Sequence, residues 1–272
     1  MEVRPKKALG QHFLKDTRTA QRIVNSLSVV YNSALIENQD NGQRVPVVEV
    51  GPGTGVLTTY LWDHPGIDYY AVELDRESVA FLQQQYSGLG KRLIQGDFLQ
   101  LPPEVFPDNF LLIGNFPYNI SSQIFFRVLE FRDRIPEVVG MVQKEVAERF
   151  CASPGSRTYG ILSVLLHAWY HTEYLFTVPP GAFVPPPKVQ SGVIRLIRNN
   201  RTVLDCPEDL FLKLVKTTFN QRRKTIRNSL KPILGNRKIT ESSLPDLRPE
   251  QLDVSDFVQL TKEVASILNA GS

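Results

Sequence analysis

A glycine-rich turn directly after a buried apolar run constrains the fold of this chain more than any other feature. The run VPVVEV ends at Val50 and is followed at once by GPGTG, residues 51–55. Glycine adopts backbone conformations that other residues avoid, so such a turn lets the main chain reverse tightly and approach a ligand closely. An acidic residue, Glu73, stands near the end of the next apolar run. This arrangement is typical of a βαβ unit whose parallel strands carry ligand-binding groups at one edge.

The first two-thirds of the chain alternates short apolar runs with amphipathic stretches, which is the pattern of a parallel sheet with crossover helices. We therefore predict an α/β fold, a Rossmann-like sheet with helices on both faces. Besides VPVVEV, strands are expected in IDYYAVEL, KRLIQGD, NFLLIGN and PEVVGMVQ, and helices over 54–63, 76–86, SSQIFFRVLEF and KEVAERF.

The remainder of the chain is first rich in proline and then helical. VPPGAFVPPPK contains five prolines, which cannot donate to a sheet ladder, so a rigid loop between two edge-proximal strands is expected. Beyond Arg198, helical periodicity covers roughly 208–220, 221–231 and 254–268. We therefore place a catalytic sheet domain at residues 1–199 and a small C-terminal all-α domain at residues 200–272.

The glycine turn and Glu73 suit a nucleotide cofactor, because a carboxylate at the end of the second strand can accept hydrogen bonds from both hydroxyls of a ribose. The turn does not by itself separate NAD from S-adenosylmethionine (SAM), although its G-x-G-x-G spacing favours SAM. A structural turn without a ligand stays open as an alternative. In GDF, Asp97 could accept the exocyclic amine of an adenine and Phe98 could lie against the ring. For this tripeptide alone, a surface turn is the simpler interpretation.

The segment NFPYNISS, residues 115–122, follows the fourth predicted strand and indicates a reaction. The lone pair of an adenine N6 amine is delocalised into the ring, so a site that methylates this amine must hold both of its hydrogens with acceptors. The side-chain oxygen of Asn115 and a carbonyl held rigid by Pro117 would supply those acceptors. Tyr118 would offer a flat face for stacking a displaced base. A proline turn without catalytic function is the alternative interpretation.

Positive charge is concentrated in the helical region. The window from Leu210 to Thr240 contains no Asp or Glu, which predicts a face that contacts a polyanion; a solvated helix face is the alternative. On a helix, Arg223 and Arg227 would share a face and form part of a cationic strip for phosphate groups. The basic residues of the window are Lys213, Lys216, Arg222, Arg223, Lys224, Arg227, Lys231, Arg237 and Lys238.

Several classes of protein are disfavoured by the sequence. No apolar run approaches the roughly 20 residues that span a bilayer, and the basic N-terminus lacks the apolar stretch of a signal peptide. We therefore expect a cytoplasmic protein that does not associate with membranes. The two cysteines, Cys151 and Cys206, lie far apart and without partners at metal-ligand spacing, so neither a disulfide nor a metal site is expected.

Taken in order, these motifs resemble those of the KsgA/Dim family of ribosomal RNA adenine dimethyltransferases over almost the whole chain. KALGQHFL, residues 7–14, resembles the family's N-terminal SAM-contacting segment, and FNQRRKTIRNSL, residues 219–230, resembles the basic signature of its C-terminal domain. EVGPGTG, AVELD, GDF and NFPYNISS resemble, in that order, its glycine loop, ribose-binding acid, adenine-binding turn and catalytic motif. VPPGAFVPPPKVQSGVIRL, residues 178–196, resembles its target loop.

The resemblance implies roles for individual residues. Asn115 would orient the target amine together with the Pro117 carbonyl, and Tyr118 and Phe183 would sandwich the flipped adenine. The residues implied to line the SAM site are His12, Leu14, Gly51, Glu73, Asp97, Phe98 and Asn115. The residues implied to bind RNA are Arg222, Arg223, Lys224 and Arg227.

Two positions depart from the family pattern. His12 stands where some members have Asn, which could alter how SAM is contacted. Phe116 stands where Leu or Ile is usual, and we expect this change to affect packing only, because Asn115, Pro117 and Tyr118 are present around it.

The resemblance also implies the reaction, which is SAM-dependent dimethylation of the N6 amines of two adjacent adenines in a 3′-terminal hairpin of small-subunit (16S) rRNA. The partner would be an immature small ribosomal subunit, and the enzyme would be a monomer when free. A large-subunit rRNA adenine methyltransferase is an alternative, against which the long proline loop and FNQRRKTIRN count. A DNA adenine methyltransferase would normally need a separate DNA-reading domain.

Two further alternatives lie outside adenine methylation. A ribosome-assembly or transcription factor could use the same fold without catalysis, since fold does not determine function. The presence of Asn115, Pro117, Tyr118 and Glu73 counts against that alternative. An NAD-dependent oxidoreductase is disfavoured because the sequence offers no acid or base for hydride transfer.

Overall fold

In the computed structural model, the described residues are 3–6, 9–31, 44–240 and 242–270. Lys7 and Ala8, which begin the KALGQHFL segment, lie outside the described residues. The chain divides into two compact units, one of Met1–Ala147 with Thr172–Arg198 and the other of Glu148–His171 with Asn199–Ser272. The division therefore differs from a single boundary at residue 199, because residues 148–171 group with the C-terminal helices.

Each of the predicted strands is present in the structure. The strands are β1 (Phe13–Leu14), β2 (Val45–Val50), β3 (Ile67–Glu73), β4 (Leu93–Gln95), β5 (Leu111–Asn115), β6 (Glu137–Gln143), β7 (Tyr170–Val178), β8 (Phe183–Val184) and β9 (Ser191–Arg198). The helices are α1 (Thr17–Val24), α2 (Ser28–Tyr31), α3 (Thr58–Leu61), α4 (Arg76–Gln85), α5 (Ser121–Glu130), α6 (Lys144–Phe150), α7 (Ile161–Trp169), α8 (Glu208–Phe219), α9 (Ile226–Ser229), α10 (Lys231–Leu234) and α11 (Val254–Asn269). The helix expected over 54–63 is shorter than predicted, because the chain is still turning through residues 53–57.

The sheet of the first unit has the strand order β4-β3-β2-β5-β6-β9-β7. Strands β2 to β6 pair in parallel, and β9 runs antiparallel to β6. The chain moves outward from β2 to β4 and then returns to β5 on the other side of β2. Right-handed crossovers consequently place α4 and α5 on opposite faces of the sheet. The point where the order reverses, between β2 and β5, is where ligands bind in sheets of this kind.

The central strands are buried on both faces, which explains why their sequences are almost continuously apolar. Val47 and Val48 in β2 and Leu112 and Ile113 in β5 are all 0% exposed. The strands therefore hold their carboxyl ends rigidly at the reversal point, where the polar residues of the motifs begin.

The large Phe116 side chain fits because two neighbouring residues, Gly114 and Gly140, have no side chain. Gly114 and Gly140 are register partners in the parallel pair β5–β6, so their Cβ positions would lie on one face of the sheet. A Cβ built on Gly140 would lie 2.4 Å from Phe116 Cε2, and one built on Gly114 would lie 2.7 Å from Phe116 Cε1. The Phe116 ring, 1% exposed, therefore fills the space above both glycines. This contact explains how the larger residue fits beside Asn115.

The N-terminal segment and the proline-rich loop are tied together. β1 pairs antiparallel with β8, with Leu14 opposite Phe183. The main-chain nitrogens of Lys15 and Asp16 donate to the Ala182 carbonyl, at 2.8 and 3.3 Å. The loop itself connects β7, at one end of the sheet order, to its neighbour β9, in agreement with the predicted position between edge-proximal strands.

The second unit is helical, with an aromatic core. Phe219 at the end of α8 stacks on Phe257 of α11, with 6.0 Å between ring centroids, and Tyr159 packs edge-on against Phe219 at the same separation. The helix predicted over 221–231 is wrong as one continuous helix. Residues 220–224 form turns, Thr225 is extended, and the chain then forms the short helices α9 and α10.

Candidate functional site

A cavity of about 980 Å³, its open mouth included, lies in the sheet unit at the reversal point between β2 and β5. Its walls come from residues 9–13, from the turn after β2 and the end of β3, and from the loops that follow β4 and β5. The predicted site residues that line it are His12, Gly51, Glu73, Asp97, Phe98, Asn115, Pro117 and Tyr118. Separate stretches of the sequence are thus brought to one surface.

The glycine turn leaves room for a ligand. Gly51 has a φ of +70°, which favours glycine, and a Cβ built on it would meet nothing within 4 Å. Gly53 has a φ of +57°, and a Cβ there would lie 2.8 Å from Phe13 Cε1. The first glycine is therefore required by backbone conformation, and the second by conformation together with close packing of the N-terminal segment.

The Glu73 carboxylate is held in a defined position on the cavity wall. Its Oε2 accepts a hydrogen bond from Gly53 N at 2.9 Å, and its Oε1 accepts one from Asp75 N at 2.8 Å. Burial raises the pKa of Glu73, while these two backbone N–H groups act in the opposite direction. Each oxygen retains capacity for a further hydrogen bond, so the carboxylate can accept two hydroxyl groups from one ligand.

Glu49, the acid that opens EVGPGTG, faces away from the cavity. Its Oε2 accepts hydrogen bonds from Tyr69 Oη at 2.6 Å and from Thr58 Oγ1 at 2.8 Å. Burial raises the pKa of Glu49 to about 7. This carboxyl group therefore joins β2, β3 and α3 behind the glycine turn and contributes to the shape of the turn rather than to ligand contact.

The GDF turn contributes a polar group and little aromatic surface. Asp97 Oδ1 accepts a hydrogen bond from Leu99 N at 2.9 Å, which orients the carboxylate. Phe98 is only 4% exposed, and its ring packs edge-on against Phe106 with 5.7 Å between centroids. Most of the Phe98 ring is therefore committed to the core, and only a small part of it can contact a ligand.

Leu74 is a cavity residue that the sequence reasoning missed. It follows Glu73 at the end of a buried strand, and yet its side chain is 51% exposed and lines the cavity. A large apolar side chain in that position offers a surface for a flat, apolar ring. Nothing in the sequence marks Leu74 beyond its place one residue past Glu73.

Asn115, at the end of β5, is oriented by the N-terminal segment. Its Nδ2 donates to the His12 carbonyl at 2.9 Å, so the planar amide is fixed with Oδ1 as its remaining acceptor. The His12 ring stacks on Tyr118 with 5.5 Å between centroids and 27° between planes, and His12 Nδ1 lies 2.8 Å from the Pro185 carbonyl oxygen. His12 thus contacts the NFPY segment and the proline-rich loop together.

The NFPY segment turns sharply into a short 3-10 helix that begins at Tyr118. The Pro117 carbonyl accepts hydrogen bonds from Ile120 N at 3.2 Å and from Ser121 Oγ at 3.0 Å, so it is used inside this turn. Tyr118 Oη lies 2.6 Å from Ser191 Oγ, and burial raises the pKa of Tyr118. The Tyr118 ring is therefore held by its hydroxyl and by His12.

Leu14 and Phe183 are the two predicted site residues of the sheet unit that do not line the cavity. They lie opposite each other in the β1–β8 pair, are 4% and 1% exposed, and belong to the hydrophobic core. Side chains alternate along a strand, so Phe183 points inward while Val184, 48% exposed, points outward. In this structure the Phe183 ring therefore does not face Tyr118 across the cavity as predicted, because it packs in the core.

The N-terminal segment is also fastened beside the end of β3. Lys6 Nζ contacts the Asp75 carboxylate and lies 3.0 Å from Glu77 Oε1, and Lys6 N donates to Gln11 Oε1 at 2.8 Å. These contacts place residues 9–13 over one side of the cavity, where they form its wall.

The predicted RNA-binding residues lie in the helical unit and differ in their contacts. Arg222 is half-buried, and its guanidinium donates to the Ser156 carbonyl at 3.1 Å. Arg223 and Lys224 are exposed in the turn after α8, whereas Arg227 lies on α9, beyond the extended residue Thr225. The expected cationic strip along one helix is therefore not formed, since the turn separates Arg223 from Arg227.

The part of the chain that the structure describes contains neither a membrane-spanning helix nor a metal cluster. No helix there combines the length and the apolar composition needed to cross a bilayer. Within the same residues, no group of three or more His, Cys, Asp or Glu side chains is arranged to hold a metal ion.

Comparison with known proteins links this cavity to a family. The family described as "Ribosomal RNA adenine dimethylase" matches residues 3–266. A ribosomal RNA small subunit methyltransferase A of Parabacteroides distasonis is 55% identical over 95% of this chain and 93% of its own. A dimethyladenosine transferase from Plasmodium falciparum has the same fold, with a TM-score of 0.74, 24% identity and coverage of 94% of this chain and 98% of its own. The 23S rRNA methyltransferase ErmE gives a TM-score of 0.63 at 25% identity, with coverage of 92% and 99% respectively.

These findings confirm the resemblance that the motifs predicted, the Rossmann-like methyltransferase fold and the choice of SAM over NAD. The match extends through both units and includes the motifs from KALGQHFL to FNQRRKTIRNSL. The chain therefore belongs to the ribosomal RNA adenine dimethylase family, and it is a SAM-dependent methyltransferase.

Proposed function

We propose that the enzyme dimethylates the N6 amines of two adjacent adenines in the 3′-terminal hairpin of small-subunit rRNA, within an immature ribosomal subunit in the cytoplasm. The observation that carries this proposal is the Asn115 amide, fixed by the His12 carbonyl at the wall of a cavity that also presents Glu73. The names of the related small-subunit methyltransferases support the choice of substrate. We further propose that the free enzyme is a monomer.

The cavity fits SAM on its own chemistry. Open space in front of Gly51 admits a ligand close to the main chain, and the Glu73 carboxylate suits two ribose hydroxyls. Asp97 suits an adenine amine, and the exposed Leu74 side chain suits the adenine ring. When bound, SAM supplies an electrophilic methyl group. The residues of this chain would bind it and orient the RNA amine.

The NFPY segment would align the target amine. Asn115 Nδ2 donates to the His12 carbonyl, so the amide is held in place and its Oδ1 would accept a hydrogen bond from the target amine. The Pro117 carbonyl already accepts two hydrogen bonds within the turn. We therefore assign the second acceptor to the carbonyl of Phe116, a cavity-lining residue next to Asn115. Held in this way, the nitrogen directs its lone pair at the methyl group, and no strong base is needed because the methylated nitrogen becomes acidic.

The base would reach this site out of its stack, as in other enzymes that act on a nucleic-acid base. Tyr118 offers a ring face for stacking, a contact worth roughly 1–3 kcal/mol per base. Because the Phe183 ring is buried in the core, the second face of a base sandwich would require the proline-rich loop to move.

The test is methyl transfer from labelled SAM to small ribosomal subunits that lack the modification, followed by nucleoside analysis. We expect N6,N6-dimethyladenosine at two adjacent positions near the 3′ end. Product on large-subunit rRNA instead would favour the alternative specificity. SAM binding without product on either particle would favour a non-catalytic role in assembly.

Changing Glu73 to Gln is expected to weaken SAM binding roughly 10- to 100-fold, because hydrogen bonds to a charged acceptor contribute about 1.5–3 kcal/mol. The glutamine keeps the volume of the side chain but replaces one acceptor oxygen with a donor. The dissociation constant for SAM, measured by calorimetry on the free enzyme, checks this expectation.

Glu49→Gln is the matched control for this prediction. Glu49 is also a buried carboxyl group near the glycine turn, and its carboxylate faces Tyr69 and Thr58. We expect this control to leave the dissociation constant for SAM within about threefold of wild type, since it touches no ligand. Equal effects of the two substitutions would show that Glu73 acts only by stabilising the turn.

A further inference from the structure

A second concave surface lies in the helical unit, formed by α9, α10 and the loop that follows them. Its volume is about 630 Å³, its open side included. We call it the basic cleft and define it by the four cationic side chains on its wall, which are Arg227, Lys231, Arg237 and Lys238. The predicted RNA-binding residues Arg222, Arg223 and Lys224, which we call the RRK turn, do not line it.

The backbone holds the basic cleft in shape. Leu234 and Ile239, each 5% exposed, anchor its floor in the helical core. Between them, Gly235 has a φ of +61°, so the chain reverses there and residues 236–238 turn back towards α10. Arg237 Nη1 donates to the Ile267 carbonyl in the last turn of α11, at 3.0 Å, which ties the loop to a long helix.

The four cations of the basic cleft differ in whether they have a partner among the described residues. Arg227 pairs with Asp246 at 2.6 Å, and Arg237 donates to the Ile267 carbonyl. Lys231 and Lys238 are exposed, and neither forms an ion pair with any described residue. The two lysines therefore have ammonium groups that are available to a ligand, beside two arginines that keep the local potential positive.

These features suit a phosphodiester backbone better than a single small anion. A nucleic-acid strand carries one negative charge per nucleotide, and lysines act on it as point charges that require no fixed approach geometry. The cleft is open to solvent, so a strand can reach its wall. The described wall carries four cations and, within ion-pair distance of them, one carboxylate, that of Asp246.

We propose that the basic cleft binds the phosphate backbone of the substrate RNA through Lys231 and Lys238. It would be a contact separate from the RRK turn and from the methylation cavity. This inference rests on the proposed function for the identity of the RNA. The proposal assigns the two lysines to affinity, with no part in the chemical step.

The test compares a Lys231→Ala, Lys238→Ala double variant with a Lys91→Ala, Lys262→Ala double variant. All four lysines are exposed, so the two variants lose the same net charge and only the first loses it in the cleft. Binding to unmethylated small ribosomal subunits is measured across a series of salt concentrations, together with kcat, KM for the subunit and the dissociation constant for SAM.

We expect the cleft variant to bind the particle about tenfold more weakly near 0.15 M salt, with KM raised to match. The slope of log K against log salt should become shallower by roughly 1.5–2, the value for two lost phosphate contacts. Neither kcat nor SAM binding should change, and Lys231→Arg with Lys238→Arg should restore most of the affinity. The control variant should bind within about twofold of wild type.

Unchanged affinity and salt slope in the cleft variant would overturn the inference. So would displacement of the lysine-dependent contact by polyglutamate but not by RNA, which would point to an acidic protein partner. The proposed function fails separately, if wild type makes no dimethyladenosine on the particle. Loss of particle binding in the cleft variant would still support an RNA contact in that case.

Discussion

Replacing Asn115 with alanine is expected to lower kcat for methyl transfer by roughly 100-fold or more, because correct placement of the attacking nitrogen accounts for at least that much of such a rate. Asn115 Nδ2 is bound to the His12 carbonyl at 2.9 Å, and its Oδ1 is the acceptor proposed to hold the target amine. Alanine removes the acceptor together with the contact that orients it. Single-turnover rates at saturating SAM and ribosomal subunits measure the effect directly.

Asn109→Ala is the control, because Asn109 is exposed and precedes β5 whereas Asn115 ends the same strand. It should retain wild-type turnover. The dissociation constant for SAM should change by less than about tenfold in Asn115→Ala, since Glu73 and the glycine turn remain in place. If Asn115→Ala kept more than a tenth of the wild-type rate, the amide oxygen would not be the group that aligns the amine.

Gly140→Ala is expected to destabilise the protein by about 2 kcal/mol, within the range seen when buried cores are overpacked. The added Cβ would lie 2.4 Å from Phe116 Cε2, and the Phe116 ring is buried between strands that cannot shift freely. Thermal unfolding should show a Tm lower by several degrees. Urea unfolding would give the change in free energy, with the same slope as wild type.

Phe116→Leu in the Gly140→Ala background should recover part of the lost stability, because a smaller side chain leaves room for the new methyl group. The two substitutions should therefore couple by about 1 kcal/mol or more in a double-mutant cycle. Gly181→Ala provides the control, since a Cβ at Gly181 would meet nothing within 4 Å. Simple additivity of Gly140→Ala and Phe116→Leu would contradict the packing argument.

The sequence determined the elements of the sheet and the identity of the family. Strands such as β2 and β5 are almost continuously apolar because they are buried on both faces, and a local pattern of this kind is readable without a structure. The glycine turn was equally readable, since the positive φ of Gly51 is a local property of the backbone, and Glu73 was marked by its place at the end of β3. SAM was favoured over NAD by spacing and supported by the ordered motifs.

The tertiary structure decided which side chains face the cavity. Phe183 resembled a base-stacking residue by its position in the loop, but pairing of β8 with β1 turns its ring into the core. Leu74 had no marked signal, and its exposure results from the way β3 ends at the cavity. Whether a side chain points inward or outward in a two-residue strand depends on its partner strand, which lies far away in the sequence.

The helical unit shows the same limit. Helical periodicity predicted α8 and α11 well, because each is long and has one buried face. It failed over 221–231, because the chain turns through residues 220–224 and is extended at Thr225. The excess of basic residues was a property of the sequence alone. Folding decided which of them are bound within the unit and which stay open to a ligand. Arg222 binds Ser156 and Arg237 binds Ile267, and both partners come from distant parts of the chain. The lysines of the basic cleft stay open.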